Sequence, residues 1–170
     1  MLETGDTAPD VTAPMATPEA AETAERGAYT GEHVAEFDLD RAAADGPVVL
    51  AFYPGVYSRT CTAELCAYRD WRDDLAESSV DVYGVSVDTP WSLLAFVDEY
   101  DLGYPLVSGF NNSIVREFGV ERGGGLLSGI SDRAAFVVDD DRQVTWTWAI
   151  QESGVYPEVA ELEAAVRDAP

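Results

Sequence analysis

The sequence predicts an α/β layer fold in which a central mixed β-sheet carries helices on both faces. Three observations carry that prediction. The apolar run Val48 to Tyr53 stops at Pro54-Gly55 and reads as a buried central strand. Strand and helix patterns then alternate, and two late strand patterns flank Asp139-Asp140-Asp141-Arg142 as a hairpin turn. With 170 residues and 46% hydrophobic content, residues 1–170 fit one domain able to bury a core without staples.

Residues 12–36 are rich in Ala, Thr, Pro and Glu and show no sustained periodicity until Phe37-Asp38-Leu39, so they are expected to form an acidic surface insert or loosely ordered excursion. After the Val48–Tyr53 strand, a helix is expected from about Thr60 to Glu77. Val80 to Val87 reads as a second strand, and Thr89-Pro90 supplies a capping hydroxyl and an N-terminal proline to a helix ending near Tyr100. Pro105 to Val107 is a short third strand, Ser113 to Phe118 a short helix stopped by Gly119, and Gly123 to Gly129 a flexible loop. The hairpin strands are Ala134–Val138 and Val144–Ile150. Alternation puts Val144, Trp146, Trp148 and Ile150 of the latter on one face, where core packing is expected. Val159, Leu162 and Val166 give the segment from Pro157 to Val166 helical spacing.

The net charge of −22 comes from 32 acidic against 10 basic residues, and every basic residue is arginine. That surface excludes nucleic acid as an expected partner. Spread along a chain with regular apolar segments, the charge fits a folded domain with a carboxylate-rich surface rather than a disordered tail. Carboxylates with arginine in place of lysine suit an extreme halophile's cytoplasm, where salt screens self-repulsion. Stability is then expected to rise steeply with added KCl, and a melting temperature indifferent to molar salt would overturn that reading. No run approaches the roughly 20 apolar residues of a membrane span, and Met1-Leu2-Glu3-Thr4-Gly5-Asp6 lacks the basic start of a signal peptide. A cytoplasmic location away from membranes is expected.

In a reducing compartment the two cysteines, Cys61 and Cys66, read as a catalytic or redox-sensing pair and not as a structural bridge. A thiol in the first turn of a helix sits where N–H groups and the helix dipole favour a thiolate. Five helical residues rise about 7.5 Å and turn about 140°, while a disulfide wants Cα atoms roughly 4.4–6.8 Å apart with converging Cβ vectors. The two sulfurs cannot bond across an intact helix, so a redox cycle through both requires its first turns to unwind.

Pro54-x-x-x-Ser58-x-x-Cys61, followed by Thr62-x-Glu64-x-Cys66, resembles the active-site signature of the peroxiredoxins, most similarly their bacterioferritin comigratory protein, or PrxQ-type, branch. Gly5-Asp6-x-Ala8-Pro9-Asp10 and Arg133-Ala134-Ala135-Phe136-Val137-Val138-Asp139 extend the resemblance, which covers residues 2–11 and 46–166. It implies a thioredoxin-like fold and a thiol peroxidase, with a peroxide substrate and a thioredoxin-like or other dithiol reductant. It implies no metal, haem or flavin. Branch relatives are often monomeric, which implies a monomer or weak dimer.

By motif position Cys61 matches the peroxidatic cysteine, which becomes a sulfenic acid, and Cys66 the resolving one. Ser58 replaces the commoner threonine but keeps a hydroxyl able to accept from and donate to bound peroxide. Pro54 would shield the thiolate without competing as a donor. Arg133 would bring a permanent charge and a planar donor fork. The N–H groups of Thr60 and Cys61 would face charge developing on the peroxide oxygens. Glu64 would cap the helix start or orient the arginines.

Blander readings stand beside these. Arg59, at a variable motif position, reads as surface charge, His33 as a solvated side chain, and Asp139-Asp140-Asp141 as a turn without the later ligands of a calcium loop. The Gly123–Gly125 run lacks the context of a phosphate loop. A thioredoxin-type disulfide oxidoreductase is disfavoured because four residues separate the cysteines instead of two. The insert and the serine at position 58 leave room for a redox-sensing or chaperone-like binding module with little turnover.

Overall fold

The computed structural model describes residues 1–74 and 81–169. The expected helix end near Glu77 and the expected strand start at Val80 lie outside the described residues. Among those described, seven strands form one mixed sheet in the order β2-β1-β5-β4-β3-β6-β7. Along the chain these are β1 (Thr12–Ala16), β2 (Ala35–Asp38), β3 (Val48–Phe52), β4 (Asp81–Ser86), β5 (Leu106–Ser108), β6 (Ala134–Val138) and β7 (Val144–Ala149). The helices are α1 (Pro18–Thr23), α2 (Leu39–Ala43), α3 (Arg59–Asp74), α4 (Pro90–Tyr100), α5 (Ile114–Glu117) and α6 (Val159–Arg167). None of them is long and apolar enough to cross a membrane.

Strand β3 is central because all five of its residues are buried, as its unbroken apolar run requires. It pairs parallel with β4 and antiparallel with β6. Its side chains alternate between two cores. Val49 and Ala51, with Tyr53 just beyond the strand, meet α1, α3, α4 and α6, while Val48, Leu50 and Phe52 meet α2, α5 and the segment around Ala8 and Val11. Gly84 on β4 lets α3 come close. An added Cβ there would lie 2.6 Å from Leu106 Cδ2, 3.1 Å from the Tyr53 ring and 3.2 Å from Leu65 Cδ2.

The surface or loosely ordered excursion expected over 12–36 instead has both its ends built into the sheet, with α1 between them. Strand β1 lies between β2 and β5, with pairs Thr12↔Asp38 through Met15↔Ala35 on one side and Met15↔Val107 and Ala16↔Leu106 on the other. The sequence hides it because its buried positions are Ala13 and Ala16, too small to mark an alternation, and because Pro14 argues against a strand. The pairing with β5 begins only at Met15, so Pro14 lies beyond that ladder. Thr17 caps α1 by accepting from Ala20 N, and Arg26 ties the end of this segment to Asp98 on α4.

The hairpin forms where expected, but its second strand does not keep one face. The register passes from Val137↔Trp146 to Val138↔Val144, so Thr145 is an extra residue in β7. A bulge of one residue reverses alternation, because side-chain period is two. Val144 therefore enters the core beneath α2 and α5, while Trp146 and Trp148 pack on the opposite face. The tryptophans are half-buried and line a cleft of about 540 Å³ against α6, with Glu161 and Asp168 at its rim. Asp139 organises the turn, its Oδ1 accepting from Asp141 N at 3.1 Å and Gln143 N at 2.7 Å. His33 is likewise local, its Nδ1 accepting from Thr30 N at 2.9 Å in a short 3₁₀ turn.

Candidate active site

Beyond β3 the chain makes one more sheet bond, Tyr53 N to Val85 O at 3.0 Å, before Pro54 ends the ladder. The loop then turns through Tyr57, whose φ of 63° is left-handed. Tyr57 is fastened to α4, its hydroxyl donating to Glu99 Oε2 at 3.2 Å and its ring edge-on to Phe96. Burial, followed by the Glu99 charge, pushes its phenol up to about 12.

Ser58 opens α3. Its carbonyl accepts from Thr62 N at 2.9 Å, and its Oγ accepts from Cys61 N at 3.4 Å. The expected start near Thr60 thus moves back, and the helix's first residue is the exposed Arg59. Cys61 is the third residue of α3, its side chain fully buried, with half-buried Thr60 before it. First-turn N–H groups lack intrahelical acceptors and point toward this end.

Arg133 arrives from far along the chain. It directly precedes β6, and the pairing Phe52↔Ala134 sets it across from the end of β3, where α3 begins. Its Nη2 donates to Cys61 Sγ at 3.3 Å, and its Nη1 donates to Glu64 Oε2. Glu64 also accepts from Tyr68 Oη at 3.2 Å. Arginine and glutamate are 4% and 0% exposed, so the pair is desolvated and each charge depends on the other. The Arg133 Nε–H has no hydrogen-bond partner among the described residues. Of the two roles expected of Glu64, the geometry shows the orientation of arginine, since Ser58 caps the helix.

Cys66 sits on the same unbroken helix, half-buried and free, as Cys61 is free. Burial pushes the Cys66 thiol up, and Arg69 pulls it partly back. The structure thus gathers Cys61, Ser58, Glu64 and Arg133 into one contact set, with Pro54 half-buried in the adjoining loop and Cys66 outside the set.

Two further residues escaped the sequence reading. Tyr68 supports Glu64 from one helical turn away, a spacing legible in sequence only once α3 is placed. Asp88 reaches back to the loop, its Oδ2 accepting from Val56 N at 2.9 Å, and nothing local to Asp88 signals that contact.

A buried thiol at a helix start, faced by an arginine on a thioredoxin-like sheet, defines the class as a thiol-based oxidoreductase. The chain belongs to the AhpC/TSA family, whose model matches residues 4–147. It is 36% identical over 127 residues to a putative peroxiredoxin of Mycobacterium tuberculosis, covering 68% of this chain and 81% of that protein. It is 37% identical over 98 residues to the chloroplastic peroxiredoxin Q of Gentiana triflora, covering 58% of this chain and 44% of that one. The crystal structure of peroxidoxin BcpB from Mycobacterium tuberculosis superposes with a TM-score of 0.74 at 29% identity, covering 98% and 96% of the two chains. Family and relatives make this an enzyme of the peroxiredoxin class, with its resemblance on the PrxQ and Bcp side.

Proposed function

We propose that the protein reduces hydrogen peroxide and alkyl hydroperoxides, with Cys61 as nucleophile, Cys66 as resolving thiol and a dithiol as electron donor. The observation that carries this reading is the Arg133 Nη2 donation to Cys61 Sγ at 3.3 Å, with the other end of the guanidinium held by Glu64. A fixed cation donating to sulfur favours negative charge there, and the same planar fork suits the oxygens of a peroxide.

The Cys61 thiolate attacks the terminal peroxide oxygen, and the O–O bond breaks. Sulfur is oxidised to the sulfenic acid, and the departing oxygen takes a proton and leaves as water or alcohol. The unclaimed Arg133 Nε–H and the N–H of Thr60 are donors available to charge developing on the oxygens. Ser58 keeps its hydroxyl proton for the same use, since its oxygen acts as acceptor for Cys61 N. Pro54 brings no N–H to compete.

The Cys66 thiolate then attacks the sulfenic sulfur, the S–O bond breaks as the Cys61–Cys66 disulfide forms, and the departing oxygen takes a proton and leaves as water. A thioredoxin-like or other dithiol reduces that bond by exchange and leaves oxidised itself. The intermediate step requires α3 to unwind between the cysteines.

Cys61→Ser is expected to abolish peroxide turnover, and Cys66→Ser to react once and accumulate a sulfenic acid trapped by a dione reagent. Full turnover in Cys61→Ser would overturn the assignment.

A further inference from the structure

We propose that Asp88 is a positioning residue for the Cys61 loop, acting through the hydrogen bonds its carboxylate accepts and not through its charge. The inference rests on the peroxidase reading above. Asp88 lies between the end of β4 and Thr89, the cap of α4. One oxygen, Oδ2, accepts both Val56 N at 2.9 Å and Ser86 Oγ at 2.7 Å. Ser86 is fully buried, and its carbonyl accepts from Gly109 N at 2.6 Å. The Asp88 carbonyl in turn accepts from Ser108 Oγ at 2.6 Å, and Ser108 is also fully buried.

The carboxylate is therefore held by the ends of β4 and β5, the rigid part of the sheet, and passes that position to one backbone N–H of the loop. Gly55 lies alongside the carboxylate, where an added Cβ would come into ordinary contact at 3.5 Å from Asp88 Oδ2. Val56 stands between Pro54 and Ser58, the residues that border Cys61 on the loop side. With Tyr57 docked on α4, Asp88 makes the second of two anchors that set where the loop crosses the thiol. Among the described residues no other hydrogen bond holds residues 54–56 of the loop, and Pro54 has no N–H to offer.

Charge and hydrogen bonding predict opposite signs. Asp88 also lies within electrostatic range of the buried Tyr53 hydroxyl, which feels Cys61 as well. If the negative charge were what mattered, removing it near a reacting thiolate would speed attack, in Asp88→Ala and Asp88→Asn alike. If the acceptor matters, Asp88→Ala slows attack, while Asp88→Asn keeps an amide oxygen able to accept from both Val56 and Ser86.

The test is the rate of Cys61 with hydrogen peroxide and with a neutral alkylating agent, in the full chain carrying Cys66→Ser and in its Asp88 variants. Asp88→Ala is expected to lower the peroxide rate about tenfold or more without lowering the alkylation rate, and Asp88→Asn to stay within about threefold of the parent. Should Asp88→Ala fail to fold, Ser86→Ala carries the test. It removes the donor orienting Oδ2, and a severalfold loss toward peroxide alone is expected. An unchanged peroxide rate in the Ala variant that folds, an Asn variant as slow as Ala, or faster attack in both overturns the proposal. A parent without preference for peroxide overturns the peroxidase reading and this role with it, whereas a fast parent with indifferent variants overturns this role alone.

Discussion

The first turns of α3 and its far half are held in different ways. At the start, Ser58 Oγ takes Cys61 N at a long 3.4 Å, the flanking residues 57–59 are exposed, and Cys66 is half-buried. Further along, Tyr68 and Trp71 are buried, Arg69 Nη1 donates to Tyr100 O at 2.7 Å, and Arg72 donates to the Gly103 carbonyl. The Arg72 guanidinium also lies 5.9 Å above the Tyr104 ring. Between the halves, Glu64 binds Arg133, and the Leu65 carbonyl accepts from Tyr104 Oη at 2.8 Å.

The contrast teaches where the helix can open most cheaply. The far half is tied to the connection between α4 and β5 by side chains reaching backbone carbonyls, so its unwinding would strip buried aromatic surface and those bonds together. Opening the near half gives up one weak cap, the burial of Cys61 with its bond from Arg133, and the contacts at its boundary. A Cys61–Cys66 bond would need only the near half to unwind, and the far half would then keep the Cys66 end of the segment in place.

The largest expected effect lies at the boundary. Glu64→Ala leaves Arg133 buried without its anion and should cost about 3–5 kcal/mol in urea unfolding, with peroxide attack by Cys61 slowed about a hundredfold by misplacement of the guanidinium. A cost below about 1 kcal/mol would mean that the pair is solvated and that the boundary is no firmer than the cap.

A smaller effect separates the halves directly. Tyr104→Phe removes the donor to the Leu65 carbonyl and should cost about 1 kcal/mol. Disulfide formation after oxidation should become faster, while the first step with peroxide stays unchanged. Slower disulfide formation in that variant would show that Tyr104 guides opening and does not restrain it.

The smallest effect is a pH shift in Cys66. Its thiol is pushed up by burial, so in Cys61→Ser the alkylation of Cys66 should rise with pH to a midpoint above that of the urea-unfolded chain. A thiol raised in the folded state contributes stability below its unfolded value, about 8.5, and that contribution is lost as pH climbs through the folded value. Equal midpoints in the folded and unfolded chains would mean that the near half is already open in the resting protein.

Sequence reading reached different parts of the molecule unequally. The strand, loop and helix around Cys61 were legible because each is marked locally, by the apolar run, by Pro54-Gly55 and by the first turn of an apolar-spaced helix. The place of β1 within the sheet was not, because alanines satisfy a tight interior without announcing it and Pro14 points the other way. The Val144 face was misread because a one-residue bulge leaves no composition signature. In the site, Cys61 and Cys66 stood out by spacing, whereas Asp88 sits in an unremarkable Val-Asp-Thr and acts on a backbone N–H 32 positions earlier.

By itself the sequence determined the α/β alternation, the pair of thiols on one helix and the incompatibility of their spacing with a bond across that helix, all of which follow from short-range periodicity. Only the tertiary structure decided that Arg133 meets Cys61 across 72 positions and takes Glu64 as its anchor. The physical reason is register. The β3–β6 pairing is set by which side chains both strands bury, and that choice, made throughout the core, places one guanidinium beside one sulfur.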